Sequence, residues 1–502
     1  MRLLVLPFIL IFCPISSGAQ VDTAAIVPHR YLVIYRNSTV PGDAEARARL
    51  LGERLIRRDD RLGIVTIQSD PSEDDATAMR RLRAQPNVAY VLHDRILSAE
   101  RLHLKIPSPT FSVVIGSKSA PASYDTYYTS TPQGWAVQQV GGYGDNVPGG
   151  PAHGPWDTTK GKGVRIAILD SGVDQAHPDI APNLALNLSE IDQSVYPSQC
   201  DDGSPQDQQG HGTWTASLAA GAMGPGTGEV IGVAPEATIL NIKVLERMPA
   251  VINGASLADQ CTAGQASGLL SWVLQGINDA IANRADVISL SVGAIADLTT
   301  GDGAGLKAAF DRVTVAAAQA NIVLVAAAGN EGIDLSNPRF VELPAQSRGV
   351  LAIEASTNPA CAQDANPKAA CAPGPISLAY YSNRGITGAL AAPGGSYPAG
   401  TDNAVSGWVR GACSSGIPST LDGPPTDPSH SMGCFGLGHA AYVQAMGTSA
   451  SAPLAAGVAA LIRAAHPDWS AATVVAAMSS SAVPAPGLPI PQVNAAAALN
   501  LR

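Results

Sequence analysis

Three side chains of the kinds that carry acyl transfer stand in this chain in the order acid, base and hydroxyl: Asp170, His211 and Ser449. Each lies in a short motif rich in small residues, and the motifs are Ile168-Leu-Asp-Ser-Gly172, Gly210-His-Gly-Thr213 and Gly447-Thr-Ser-Ala-Ser-Ala-Pro453. A serine hydroxyl attacks a carbonyl when a base removes its proton, and a carboxylate beside that base fixes its tautomer and stabilises its charged form. The three residue types therefore predict nucleophilic catalysis by serine.

The sequence around these residues predicts where each of them lies. Asp170 and Asn330 each follow an apolar run of strand length, and the carboxyl ends of parallel strands meet at one edge of a sheet. Ser449 opens an Ala-rich stretch, 450–465, so its N–H would lie at the positive end of a helix. The Asn330 amide and that N–H could together hold an oxyanion, which adds Asn330 to the candidate catalytic residues.

Each candidate also has a structural explanation when it is taken alone. Asp170 could cap a turn, His211 could be a surface residue between two glycines, Ser449 could be an ordinary N-cap, and Asn330 could belong to a turn. It is the coincidence of all four at strand or helix ends that favours a single site.

The elements that must position these residues indicate an α/β fold with a central parallel sheet flanked by helices, from residue 135 to 502. Buried strands are predicted at 164–169, 238–245, 286–292 and 322–326, and helices at 213–220, 266–283 and 305–320. Apolar runs that alternate with helices are typical of parallel sheets.

The part before residue 135 divides into three segments. Residues 1–19 are predicted to be a signal peptide, with Arg2, an apolar run at 3–12 and small residues at 17–19. Residues 20–98 alternate strands (31–35, 63–67, 88–92) with helices (43–57 and 72–84, the latter capped by Ser72), which predicts a small α+β, ferredoxin-like domain. Residues 99–134 are interpreted as a linker with one extra strand at 110–115.

Charge and cysteine content bound the function and the compartment. The chain has a formal net charge of -10, with a net of +3 over residues 20–118 and -14 over 119–502, and no cluster of Lys and Arg that would predict nucleic-acid binding. Six cysteines remain after the signal segment. An even number fits disulfides in a secreted or periplasmic protein. The pairing that we prefer joins Cys361 to Cys371, Cys413 to Cys434 and Cys200 to Cys261, and free buried thiols are the alternative.

From about Trp135 to its last residues the chain resembles the subtilisin-like serine proteases, or subtilases. The resemblance lies in the three motifs above, in Ala326-Ala-Ala-Gly-Asn-Glu-Gly332, and in the stretches 271–283, 286–291 and 493–499. It implies two facing walls of a specificity pocket, formed by Ser291, Val292 and Gly293 and by Ala327, Ala328 and Gly329. It also implies that Lys243, Val244 and Leu245 pair with the substrate backbone as an added strand.

The resemblance further implies a secreted serine endopeptidase that is made as a zymogen, acts on polypeptides as a monomer and needs no cofactor. Residues 30–98 resemble the family's propeptide, a folding aid and inhibitor, and the maturation site would lie in 99–134. The opposite charges of the two segments fit such an inhibitory pair. Asp179 matches a position that binds structural calcium in many members, but the usual Asn-rich partner loop is not visible in 219–230.

Several features depart from the family pattern. Trp214 follows the His motif, Ala294 replaces a common glycine, and cysteine-bearing insertions occur near 192–208, 246–265, 358–375 and 400–445. Two alternatives therefore stay open. One is a processing exopeptidase or convertase, for which Glu246 and Asp259 could supply acidic subsites. The other is a pseudoprotease that binds peptides without cutting them.

Overall fold

The computed structural model describes residues 25–99, 124–129, 134–145, 153–362, 374–396, 407–422, 434–437 and 440–500. The predicted signal segment, the predicted strand at 110–115 and the Cys361–Cys371 pair lie outside the residues, or the side chains, that it describes.

The N-terminal domain is a four-stranded antiparallel sheet with two helices. Its elements are β1 (Ile26–Tyr35), α1 (Ala44–Leu50), β2 (Arg54–Asp59), β3 (Ile64–Gln68), α2 (Asp75–Arg83) and β4 (Val88–Ala99). The strand order β4-β1-β3-β2 with βαββαβ connectivity is the ferredoxin-like arrangement. The strands bury alternate residues against the two helices, including Tyr31, Val33 and Val65.

Two predicted boundaries in this domain were wrong. The single helix predicted over 43–57 ends at Leu50, because Gly52 has a φ of +73° and turns the chain into β2. The second helix begins after Asp74, not Ser72, since the Asp74 carboxylate accepts the Thr77 N–H at 3.0 Å as an N-cap.

The larger, C-terminal unit is built on a second sheet, whose strands run parallel except for a short strand at Ser377–Leu378. Its strand order is β15-β14-β12-β10-β5-β7-β6, with β16 beside β14. The strands of this sheet are β5 (Arg165–Asp170), β6 (Leu184–Ser189), β7 (Thr238–Lys243), β10 (Val287–Leu290), β12 (Val323–Ala327), β14 (Val350–Thr357), β15 (Ser377–Leu378) and β16 (Leu390–Pro393). The remaining strands are β8 (Glu246–Met248), β9 (Gln265–Leu269), β11 (Val292–Asp297), β13 (Phe340–Leu343), β17 (Val409–Cys413), β18 (Phe435–Leu437) and β19 (Ala440–Ala445).

Helices cover both faces of the parallel sheet. The long helices are α6 (His211–Ala220), α8 (Leu270–Ala282), α9 (Gly301–Gln319), α12 (Thr448–Ala465) and α13 (Ala471–Ser481). The short helices are α3 (Thr126–Thr129), α4 (Trp135–Gln139), α5 (Pro155–Thr158), α7 (Leu257–Thr262), α10 (Pro359–Ala362), α11 (Ser419–Asp422) and α14 (Ala495–Ala498). One core lies between the sheet and α6 and α12, and the other between the sheet and α8 and α9. The helix α12 is long and apolar enough to cross a bilayer, but it is the buried central helix of the first core.

The two units meet along the last residues of β4. The helix predicted over 266–283 begins only at Leu270, and the residues before it form β9. Strand β4 runs between β9 and β11 and pairs antiparallel with both, with Leu97 opposite Gly268 and Ser98 opposite Gly293. The second core also continues onto β1, β3 and β4, so the N-terminal sheet packs on α8 and α9.

Candidate active site

Asp170 and His211 form a buried hydrogen-bonded pair. Asp170 ends β5, and its Oδ1 lies 2.7 Å from the Nδ1 atom of His211 in the first turn of α6. Because a carboxylate only accepts, Nδ1 carries the proton and Nε2 is left as the basic nitrogen. The other carboxylate oxygen of Asp170 accepts from the Thr215 hydroxyl at 3.0 Å, which fixes the plane of the carboxylate.

The segment before His211 is held by Asp207, a residue that the sequence analysis did not single out. The buried Asp207 carboxylate accepts five hydrogen bonds, from Ser171 Oγ, Gln209 N, Gly210 N, Thr213 N and Thr213 Oγ1, at 2.6–3.0 Å. It thereby ties the residue after Asp170 to the start of α6. A side chain at Gly212 would meet the Gly172 carbonyl oxygen at 2.1 Å, so this close approach requires glycine. The only signal for Asp207 in the sequence was an acidic residue three positions before the Gly210-His-Gly212 motif.

Burial and charge act in opposite directions on the pKa of His211. Burial lowers it, but the negative charge and hydrogen bond of Asp170 outweigh that effect, and the charge of Asp207 adds to them. The net result is a pKa above the ordinary value of 6.5. The protonated imidazole is thus stabilised.

Ser449 and Asn330 lie together where α12 begins. Helix α12 starts at Thr448 after Gly447, so Ser449 is in its first turn and is not the N-cap itself. The Asn330 Oδ1 atom accepts from the Thr448 N–H at 2.9 Å and from its hydroxyl at 3.0 Å, which directs the amide Nδ2 away from Thr448.

Three polar atoms of this group are buried and make no hydrogen bond to the described part of the chain: His211 Nε2, Ser449 Oγ and Asn330 Nδ2. Buried polar atoms are normally paired, and atoms that are not call for a functional explanation. A general base, a nucleophile and an oxyanion donor are the three functions that need their atoms free for a substrate.

The two predicted pocket walls continue adjacent strands of the parallel sheet. Strands β10 and β12 pair in register, and residues 291–293 and 327–329 follow from their carboxyl ends. The Ser291 hydroxyl donates to the Ser449 carbonyl oxygen at 3.1 Å, which brings the first wall next to the serine. Gly329 has a φ of +99°, and a side chain there would meet the Asn383 amide at 2.1 Å.

The structure corrects the position predicted for the strand that pairs with substrate. The N–H groups of Val244 and Leu245 both donate to the Asp170 carbonyl oxygen, at 2.9 and 3.1 Å, and the Lys243 ammonium is buried against Asp201 at 2.9 Å. The N–H groups of Val244 and Leu245 and the ammonium of Lys243 are therefore bound within the fold and are not available to substrate. The strand that lies along β4 opposite β11 is β9.

Asp179 does not fit the calcium ligand suggested by its sequence position. Its buried carboxylate accepts the Gly228 N–H at 2.7 Å and faces the Val230 N–H and the Tyr442 hydroxyl, both at 3.4 Å. Burial raises the pKa of Asp179 to about 8. Calcium takes six to eight oxygen ligands, whereas this carboxylate faces donors, so no step below depends on a metal.

One group of three side chains in the described residues has metal-ligand spacing. It consists of Asp145, His153 and Asp157, which are all exposed. Asp157 accepts the Gly154 N–H at 2.8 Å at the start of α5, and His153 pairs with Asp145 at 2.9 Å. These contacts explain why the three side chains lie close together without a metal ion.

Trp214 packs beside the base, and the described residues of the cysteine-bearing insertions contain two disulfides. The buried Trp214 ring packs edge-on against His211, with ring centroids 5.8 Å apart, and its Nε1 donates to the Val409 carbonyl oxygen at 3.3 Å. Cys413, at the end of the same strand, β17, is bonded to Cys434, and Cys200 is bonded to Cys261, with Cα–Cα distances of 6.0 and 5.4 Å. Ala294 lies in β11 opposite Leu343.

The fold and the site together define an α/β serine hydrolase. Comparison with known proteins gives the family: the sequence profile of the subtilase family matches residues 161–498, and the chain belongs to that family. It is a serine endopeptidase, as its relatives in the family are.

The chain is 30% identical to subtilisin E of Bacillus subtilis (strain 168) over 408 residues, which are 81% of this chain and 74% of that protein. It is 32% identical to a subtilisin of Bacillus pumilus over 322 residues, 64% of this chain and 84% of that protein. The crystal structure of an epidermin leader peptide processing serine protease from Staphylococcus aureus has a TM-score of 0.62 at 17% identity, over 94% of this chain and 98% of that one. This last likeness concerns the fold alone.

Proposed function

We propose that the protein is a secreted serine endopeptidase in which Asp170, His211 and Ser449 form the catalytic triad and Asn330 assists the oxyanion hole. The observation that carries this proposal is the group of three buried, unbonded atoms, His211 Nε2, Ser449 Oγ and Asn330 Nδ2, beside the 2.7 Å contact between Asp170 and His211. Nε2 is the atom that a general base uses, Oγ the atom that a nucleophile uses, and Nδ2 the atom that donates to an oxyanion.

The reaction follows from these positions. His211 Nε2 takes the Ser449 proton while Oγ bonds to the substrate carbonyl carbon, and the Ser449 N–H and Asn330 Nδ2 stabilise the oxyanion. Collapse of this intermediate breaks the C–N bond, and His211 returns the proton to the leaving amine. Water then hydrolyses the acyl-enzyme along the same proton path. Asp170 stays ionised throughout and stabilises the imidazolium.

We propose that the N-terminal domain is the inhibitory propeptide, since β4 occupies the position of a substrate strand between β9 and β11. Specific polar contacts support the fit. The Asp94 carboxylate accepts from Ser271 N at 3.0 Å and Ser271 Oγ at 2.6 Å at the start of α8, and Arg30 pairs with the same carboxylate at 2.9 Å. Arg312 of α9 donates to the Leu62 carbonyl oxygen at 2.7 Å.

A second set of charges spans the same interface. His93 of β4 lies between Asp75 of its own domain, at 2.7 Å, and Asp302 of α9, at 3.1 Å. Arg95 also reaches Asp302, at 2.7 Å, and the Tyr31 hydroxyl donates to Asp75 at 2.5 Å. The hydrogen bond to Asp302 raises the pKa of His93 against the effect of burial, and Asp75 adds to it.

The same proposal extends to the domain limits. Residues 1–19 would be a signal peptide, 20–98 the propeptide, 99–134 the linker and 135–502 the mature peptidase. Because β4 fills the cleft through Ala99, maturation would cut beyond Ala99, within the linker. The mature protein would then be extracellular or periplasmic, a location with which the two disulfides among the described residues are compatible.

Two acidic residues had left a convertase open as an alternative. The Glu246 side chain is buried and hydrogen-bonded to Ser198, and Asp259 caps α7 through Ser256 at 2.6 Å. The buried Glu246 carboxylate is therefore not free to bind a basic substrate residue, and the exposed Asp259 is hydrogen-bonded at the start of its own helix. These contacts favour the endopeptidase over the convertase.

A fluorophosphonate probe tests the proposal. The mature protein should be labelled at Ser449, and Ser449→Ala should abolish both labelling and casein hydrolysis. Ser451→Ala is the matched control, because it removes a buried hydroxyl of the same helix and should keep both. Labelling that persists in Ser449→Ala would refute the triad, and labelled protein that does not hydrolyse casein would favour a pseudoprotease. N-terminal sequencing of the wild-type and Ser449→Ala secreted forms would locate the cut and show whether it depends on Ser449.

A further inference from the structure

The N-terminal domain covers an apolar surface beside the cleft. We call it the Trp272 patch; its members are Ile191, Tyr196, Met248, Leu269 and Trp272. The Tyr196 and Trp272 rings meet edge to face, with centroids 6.1 Å apart. Two apolar side chains of the N-terminal domain, Val27 and Ile96, pack against the patch. Once that domain leaves, the patch loses both partners.

The Trp272 patch is continuous with the strand that borders the cleft. Leu269 is the last residue of β9 and pairs with Ile96 of β4, and Met248 lies on β8, the outer neighbour of β9. Tyr196 belongs to the insertion that carries Cys200, and the bond from Cys200 to Cys261 joins this insertion to the segment after β8. A disulfide keeps such a surface formed when its partner departs.

The register of β4 relates the patch to the scissile bond. Ala99 pairs with Val292, and Ser98 with Gly293. In a substrate strand with the same register, the next residue comes opposite Ser291, whose hydroxyl binds the Ser449 carbonyl oxygen at 3.1 Å. With that residue as P1, the residue whose carbonyl is attacked, the position of Ala99 is P2 and that of Ile96 is P5.

We propose that the Trp272 patch is a specificity-determining subsite for the P5 residue, and that the enzyme prefers polypeptides with a large apolar residue there. This inference rests on the proposed function. Ile96 is the model of the occupant, since it sits on the patch in the backbone position that an extended substrate takes between β9 and β11. A contiguous apolar surface at the end of a peptide-binding cleft marks a binding site.

Matched peptide pairs test the subsite. The mature enzyme first cleaves a proteome-derived peptide library, and mass spectrometry of the products gives a cleaved background sequence. Peptides on that background carry isoleucine or serine at P5, and a third peptide ends at P4. We expect kcat/KM about tenfold higher for isoleucine than for serine at P5, with the shortest peptide close to the serine peptide.

Tyr196→Ser should reduce the isoleucine-to-serine ratio to about twofold or less, because Tyr196 forms one side of the patch. Leu257→Ser is the control: this leucine is 50% exposed on the neighbouring insertion and lies outside the patch, so the ratio should stay near tenfold. Equal kcat/KM for the two wild-type peptides, or an unchanged ratio in Tyr196→Ser, would overturn the subsite while the peptidase activity stands. Absence of any cleavage and of probe labelling at Ser449 would overturn the proposed function, and the subsite with it.

Discussion

Replacing Asp207 with asparagine tests two roles of this buried carboxylate. Its hydrogen bonds hold the segment that carries His211, and its negative charge raises the pKa of His211. Asp207 accepts five hydrogen bonds and donates none, so it is bound as a carboxylate. Asparagine keeps the shape and one of the two acceptor oxygens. It turns an amide NH2 group toward the Thr213 N–H and hydroxyl, which Oδ2 now accepts at 2.9 and 2.6 Å.

The expected cost follows from those contacts. An unsatisfied buried donor costs about 1–3 kcal/mol, and a hydrogen bond to a charged acceptor is worth about 1.5–3 kcal/mol. The Thr213 hydroxyl can turn away, but its N–H cannot. We therefore expect Asp207→Asn to lower the free energy of unfolding by about 3 kcal/mol. Because the Asp207 charge helps to raise the pKa of His211, that pKa should also fall.

The assay separates these two effects. Denaturant unfolding in an inactive Ser449→Ala background measures stability without autolysis. In the active enzyme, kcat/KM rises with pH as His211 loses its proton, so a lower pKa should move this acid limb to lower pH. Asp174→Asn is the matched control: Asp174 is also buried and accepts from Ser415 N at 2.9 Å and Ser415 Oγ at 2.6 Å, but its charge is not among those that shift the pKa of His211.

Asp174→Asn should cost comparable stability and leave the acid limb in place. An acid limb that moves equally in both variants would mean that the shift comes from loosened packing, which would refute the electrostatic role of Asp207. A stability loss well under 1 kcal/mol for Asp207→Asn would refute its structural role.

Three further predictions concern the propeptide interface and the insertions. The hydrogen bond from His93 to Asp302 crosses the interface and is the largest cause of the raised pKa of His93. Its stabilisation of the complex is fully present below the pKa of His93 in the free propeptide and is lost as pH rises through the raised pKa of the complex, so less cleaved propeptide should co-elute with the peptidase in gel filtration at higher pH. Retention that is independent of pH would contradict this. Arg312→Met should weaken propeptide inhibition about tenfold or more, measured as Ki, whereas Lys307→Met, on the same helix but paired within it, should not. The double variant Cys200→Ser/Cys261→Ser should lose about 4 kcal/mol of stability, from the 61-residue separation that this bond closes, and an unchanged denaturation midpoint would show that the bond constrains little.

The sequence was sufficient for the elements whose apolar runs are both long and buried. Strands β5, β7, β10 and β12 were predicted within two residues of their observed bounds, because strands buried on both faces carry near-continuous apolar runs. Strand β2 was missed because its sequence, Arg54-Leu-Ile-Arg-Arg-Asp59, follows a helix-forming stretch and has little alternation. Pairing with β3 overrides that local preference, and such pairing is not visible in a short window of sequence.

The four candidate catalytic residues could be found from sequence because each requires a particular residue type within a restrictive motif. Strand β9, which borders the cleft, could not be found from the sequence. Residues 265–269 have no alternation and run straight into α8, so β9 read as the start of that helix. The resemblance implied that residues 243–245 pair with substrate, whereas two of their N–H groups are already bound to the Asp170 carbonyl oxygen.

The same distinction explains why Asp207 and the Trp272 patch appear only in three dimensions. Asp207 acts through atoms of Ser171 and Thr213, and nothing in its own residue type separates it from an ordinary loop acid. The patch gathers residues from 191 to 272, on a loop, two strands and a helix, which become one surface only when β8 pairs with β9 and the Cys200–Cys261 bond joins the two insertions. A catalytic role carried by one side chain can be recognised from a motif in the sequence. A specificity site formed by several side chains can be recognised only from their packing. The substrate preference of this enzyme therefore has to be inferred from the residues that β4 contacts, and the contact of Ile96 with the Trp272 patch is one that the chemistry of the triad does not explain.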